Sequence, residues 1–210
     1  MSRRNPLLSF IREARARFSI MGPGNEWSAP YWDIGQGLRS RSSVARRRQH
    51  LLWFTREVPK GVRTLVRTRA ATGQTLSRAS ADFAKAVIVS YFADRPRIGY
   101  VTIYTLVRSL VSVLVRLPEN ASPTALNLEI FLQAEAEIIE RMELKDGPLK
   151  LSWATARSAG ERLQTLSTLL DGWEILPARI LFKTKIPLQR REEVDRHSKP
   201  FENRKKRLFP

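Results

Sequence analysis

The densest chemistry in this chain is cationic. Arg39, Arg41, Arg46, Arg47 and Arg48 place five guanidinium groups within ten residues, and Arg63, Arg67 and Arg69 follow. Such a run repels itself unless a counter-charge is supplied, and a guanidinium meets phosphate oxygens in a bidentate fork. The run therefore reads as a phosphate-neutralising element, with solvated loop charge as the bland alternative for any single arginine. Acidic side chains cluster too: Glu129, Glu135, Glu137, Glu140 and Glu143 crowd one segment. Carboxylate metal ligands in a helical bundle would want a Glu-x-x-His partner, which the sequence lacks, so these glutamates are expected to form a solvated helix face. The absence of cysteine excludes a disulfide scaffold, a thiolate zinc site and a cysteine nucleophile. His50 and His197 are too far apart to suggest a zinc hydrolase, and His50 reads as structural or close to DNA. Neither a phosphate loop of the GxxxxGK[ST] type nor a GxSxG elbow occurs. No catalytic set, cofactor, metal or small-molecule substrate is expected.

The distribution of charge sharpens this. The 210 residues carry a net +17 with 42% hydrophobic content, enough for a packed core. Residues 1–73 hold net +11, residues 74–173 net zero and residues 174–210 net +6. A neutral middle between two basic flanks points to a polyanion that the flanks embrace, nucleic acid first and an anionic membrane surface second. Val101–Leu117 is rich in Val and Leu, but it is short for a span and carries Arg108 at its centre, so a buried helix is expected and no membrane partner. The Arg-rich start resembles a mitochondrial presequence as well as the first helix of a DNA-binding arm.

The elements that must position these groups are mostly helices. Residues 5–18 can form a short amphipathic helix with Leu7, Leu8, Ile11 and Phe18 apolar. A Gly- and Pro-rich stretch with Trp27, Tyr31 and Trp32 follows as loop, with room for a short strand. His50–Thr55 has strand content, and Pro59 and Gly61 end it. Trp27, Trp32, Trp53 and Phe54 are expected to cap the bundle rather than to stack bases. Four helices then follow over about 78–94, 100–117, 123–143 and 152–173, joined by short Pro/Gly turns. Ser77 caps the first; Ser122, with Pro123 at the first position, opens the third. Ala79, Phe83, Val87 and Tyr91 mark the inner face of the first, and the wide apolar face of the second predicts a central position. Beyond Trp173 a basic, mostly extended tail is expected. Its ending at Arg204-Lys205-Lys206-Arg207-Leu208-Phe209-Pro210 reads like the start of a linker. The domain reading is a basic arm over 1–73, a helical domain over 74–173 and a linker over 174–210.

The order of parts resembles the N-terminal portion of a tyrosine recombinase, the phage-type integrase family. The matching residues are Trp32-Asp33-Ile34, the basic stretch to Arg48, Leu52-Trp53-Phe54-Thr55, Ser80-Ala81-Asp82-Phe83-Ala84-Lys85-Ala86, Asp94-Arg95-Pro96, Ala159-Gly160-Glu161-Arg162-Leu163-Gln164 and Lys185-Ile186-Pro187-Leu188. The resemblance implies a core-binding (SAM-like) helical domain forming half of a clamp around duplex DNA, acting with other recombinase protomers. The catalytic half of that family is not matched. Its His-x-x-Arg pattern fails at both histidines, with Trp53 three residues after His50 and Pro200 three after His197. Every tyrosine, from Tyr31 through Tyr91 and Tyr100 to Tyr104, lies before or within the helices.

The reading is a mainly α fold, a four-helix core-binding bundle with a basic N-terminal arm and an extended basic tail. The resemblance implies the DNA-binding portion of an integrase, not an enzyme by itself, in a bacterial cytoplasm near the nucleoid. Arg41, Arg46, Arg47 and Arg48 on the arm, with Arg78, Lys85, Arg157 and Arg162 on helices, are expected to contact phosphates, Arg157 alone being placed for base readout. The rival readings are a ribosomal or organellar RNA-binding structural protein and an inert truncated integrase remnant.

Overall fold

The computed structural model describes residues 6–29, 31–33, 51–54, 76–95, 98, 100–118, 120–147 and 150–187. The described chain is mainly helical. Its elements are α1 (Pro6–Ala16), a 3-10 turn (Phe18–Met21), β1 (Tyr31–Asp33), β2 (Leu51–Trp53), α2 (Arg78–Asp94), α3 (Tyr100–Leu114), a second 3-10 turn (Pro123–Ala125), α4 (Leu128–Glu143) and α5 (Trp153–Gly172).

Local signals set most boundaries. Ser77 caps α2 by accepting from the Ser80 amide, and Ser152 caps α5 by accepting from the Thr155 amide. The third expected helix is split. Ser122 and Pro123 open only a 3-10 turn, and Asn127, in extended backbone, starts α4 by accepting from the Ile130 amide. Leu126, which ends that turn, is buried. The last turn of α3 tightens as the Arg116 and Leu117 amides reach only three residues back, to Val113 and Leu114, ahead of Pro118.

The two strands pair antiparallel, with Trp32 opposite Leu52. A pair this short is marginal alone. It is held because Trp32, Leu52 and Phe54 are buried in the same core as Phe83, Val87, Ile103, Leu110, Phe131 and Leu166. Phe18, Trp27 and Phe54 surround Trp32, with ring centroids 4.8, 5.7 and 4.8 Å away. The described part of residues 1–73 is thus not a separate arm, and the hydrophobic core crosses the expected boundary at residue 73.

α3 holds the central place its wide apolar face predicts, touching α2, α4 and α5, and α2 is deeply buried beside it. α2 is buried on nearly every side between Ser80 and Phe92, because α3 covers one face while α1 and the aromatic cluster cover the other. Ala79, expected to face inward, is exposed. On α1, Leu7 and Ala14 are buried and Leu8, expected on the apolar face, is 58% exposed. No helix among the described residues is long and apolar enough to cross a membrane.

After α5 the chain does not leave the body. Residues 174–187 turn back along it, with Ile175, Ile180, Phe182 and Ile186 buried. Up to Pro187, the segment expected as an extended tail is packed against the helices.

Candidate nucleic-acid interface

Lys85 is where the sequence reading fails most plainly. It is only 4% exposed. Its ammonium donates to the carbonyls of Trp27 and Ala29 at 2.6 and 2.9 Å and lies 5.1 Å from the Phe54 ring centroid. The ammonium is already taken up by these two carbonyls. The sequence reading treats Lys85 as a helix-edge cation, whereas the aromatic segment folds over it and supplies carbonyl partners. Beside it, Asp82 accepts from the Trp27 indole at 2.9 Å and from Arg15 at 3.1 Å. Lys85 and Asp82 together fasten residues 15–29 to α2.

Burial holds the Lys85 ammonium below its ordinary pKa of 10.5; nearby Asp82 opposes that shift and Arg15 adds to it. The consequence for stability has a definite sign. Below the folded-state pKa both states are protonated and the desolvation penalty is constant. Between that pKa and 10.5 the unfolded chain binds more protons, so this residue's contribution to stability rises with pH. Urea titrations across the alkaline range should show the natural chain gaining stability relative to Lys85→Met as 10.5 is approached. Parallel profiles for the two chains would show that Lys85 is not desolvated.

Two open hollows flank α2. One of about 760 Å³ lies between the C-terminal end of α2 and α5, and its lining includes Tyr91, Arg95, Arg157, Gln164, Thr168 and Trp173. The Arg95 guanidinium stacks 4.6 Å from the Tyr91 ring centroid. The other, of about 870 Å³, has Arg15, Arg78, Trp27 and Asp82 in its lining. Arg78 is exposed there and Arg162 is half-buried on α5. Arg157, a phosphate-contact candidate and the one residue also considered for base readout, is already engaged: it pairs with Glu161 at 2.9 Å and donates to the Ile186 carbonyl. Base readout would require it to leave both. Arg41, Arg46, Arg47, Arg48 and both histidines lie outside the described residues.

The acidic row on α4 is also not uniform. Glu135 is 2% exposed, unlike its solvated neighbours Glu129, Glu137, Glu140 and Glu143. One carboxylate oxygen accepts from the Thr184 hydroxyl at 2.6 Å and from the Lys185 amide at 2.7 Å. Across from it, Gly160 leaves the space the returning chain needs. A Cβ there would stand 2.4 Å from the Thr184 hydroxyl oxygen, which is bonded to Glu135. Gln164 accepts from the Thr184 amide at 3.2 Å, and Ser167 donates to the Phe182 carbonyl at 3.4 Å. Sequence reasoning missed Glu135 and Gly160 because their partners lie about 20 to 50 residues away. The one local hint is that Glu135 falls between the inward residues Phe131 and Ile138, on their side of α4.

Among the described residues no group of three or more His, Asp or Glu side chains could hold a metal ion. Those residues hold 16 Lys and Arg against 14 Asp and Glu, net +2, so +15 of the total +17 is carried by the rest of the sequence. The class defined by fold and site is therefore a nearly neutral, mainly helical body in a chain whose excess charge lies elsewhere. No protein-family model, curated protein or solved structure matches this chain.

Proposed function

We propose that this chain is the DNA-binding portion of a tyrosine-recombinase-type integrase, gripping duplex DNA through phosphate contacts and doing no chemistry itself. The observation that supports this reading is the distribution of charge: net +2 among the described residues, +15 in the rest of the sequence. An excess of cations over carboxylates suits a backbone of regularly spaced phosphates. In this reading the body sets the position of the duplex, with Arg78 and Arg95 at the mouths of its two hollows. The arginines of residues 39–48 neutralise phosphates and release counterions. Other protomers on the same DNA and a place near the bacterial nucleoid belong to the same proposal.

Binding should be roughly micromolar or weaker, and steeply salt-dependent. Replacing Arg41, Arg46, Arg47 and Arg48 together by glutamine should flatten the slope of log K against log salt by about 3.6 if each contacts one phosphate. Fluorescence anisotropy with a labelled duplex at several salt concentrations measures it. An unchanged slope removes these four residues from the interface. Structured RNA outcompeting duplex DNA would move the reading to an RNA-binding structural protein.

A further inference from the structure

The segment after α5 alternates with the period of a strand although no strand pairs with it among the described residues. Ile180, Phe182 and Ile186 are buried and Thr184 half-buried, while Arg179, Leu181, Lys183 and Lys185 are exposed. Its backbone is held by side chains of the helices beneath: Ser167 on the Phe182 carbonyl, Gln164 on the Thr184 amide, Glu135 on the Lys185 amide and Arg157 on the Ile186 carbonyl. Gly160 lets it lie close against α5. The result is a rail whose outer row is fixed by the inner one.

The outer row is cationic, and its charges are not equivalent. Arg179 is taken up by Asp171, with both carboxylate oxygens accepting at 3.2 and 2.9 Å. Lys183 and Lys185 form no ion pair among the described residues. Two residues apart on extended backbone, their Cβ atoms stand about 7 Å from each other on the same side. Consecutive phosphates follow one another along a nucleic-acid strand at a similar spacing. From this geometry we infer that the rail formed by residues 179–186 lies along one strand of duplex DNA, with Lys183 and Lys185 each neutralising one of two adjacent phosphates. This inference rests on the DNA-binding reading above and adds a second contact surface, on the opposite flank of the sequence from Arg41–Arg48.

The test compares the full chain with the Lys183→Gln/Lys185→Gln double variant and with Leu181→Gln, whose side chain is on the same outer row but uncharged. Duplex affinity is measured by anisotropy between about 50 and 200 mM salt. The double variant should show a slope shallower by about 1.8, so that it loses about twelvefold less affinity than the natural chain over that range. Leu181→Gln should match the natural chain. A natural chain with a steep slope and a double variant with the same slope overturns the rail and leaves the DNA reading standing. Equal flattening by Leu181→Gln also overturns it, since the shape of the segment and not its charge would then be responsible. A natural chain that fails to bind duplex DNA at low salt overturns the DNA reading itself.

Discussion

Replacing Trp32 by alanine should destabilise the whole helical body by about 3–5 kcal/mol. Trp32 is fully buried, packs on Phe18, Trp27 and Phe54, and donates its indole N–H to the Glu26 carbonyl at 2.9 Å. Truncation removes that bond and opens a large hole. The surrounding rings cannot fill it without leaving α2, because Trp27 is tied to Asp82 and the Trp27 carbonyl to Lys85. A loss of this size is a large fraction of the stability of an ordinary domain. Urea unfolding followed by helical circular dichroism gives the readout. The result decides between two architectures. If the first third of the chain were an independent arm, helical unfolding in α2–α5 would keep its midpoint. A shared core requires the midpoint to fall.

The second large effect is expected at Glu135. Glu135→Ala leaves the Thr184 hydroxyl and the Lys185 amide without their acceptor in a place where water is largely excluded. Hydrogen bonds to a charged group contribute about 1.5–3 kcal/mol each. Relief of the buried carboxylate's desolvation opposes their loss. The net cost should be about 2–4 kcal/mol, falling mainly on the attachment of residues 180–187. Glu135→Gln keeps one carbonyl oxygen for the same two donors and should lose less than half of that. Limited trypsin digestion locates the effect, because Lys183 and Lys185 are the cleavage sites in the attached segment. Cutting after them should be at least about tenfold faster in Glu135→Ala under native conditions. Equal digestion rates in the alanine variant and the natural chain would show that Glu135 does not hold this segment.

Both effects arise where a sequence reading stops. The caps at Ser77 and Ser152, the breaks near Pro96, Pro118 and Gly147, and the helices over 78–94 and 153–172 are legible along the chain. Each depends on side chains within one or two turns of the residue concerned. The aromatic packing of Trp27, Trp32 and Phe54 was also readable, since such rings are seldom left bare. Both cap signals are used: Ser122 caps the 3-10 turn and Asn127 caps α4, so the third expected helix starts later than its first cap residue suggests.

By itself the sequence determined the helical class, the approximate helix bounds and the concentration of positive charge toward both ends, since each follows from composition or from spacing over a few residues. Tertiary structure alone decided which charges are usable. Lys85 and Arg157 read as surface cations until the segments at 27–29 and 186 fold over them. Glu135 reads as solvated until residues 184 and 185 return to it, and Lys183 and Lys185 acquire a common direction only when the inner row of their segment is packed. The physical reason is the same in each case: a charged side chain's environment is set by partners distant in sequence, and helical periodicity contains no information about them.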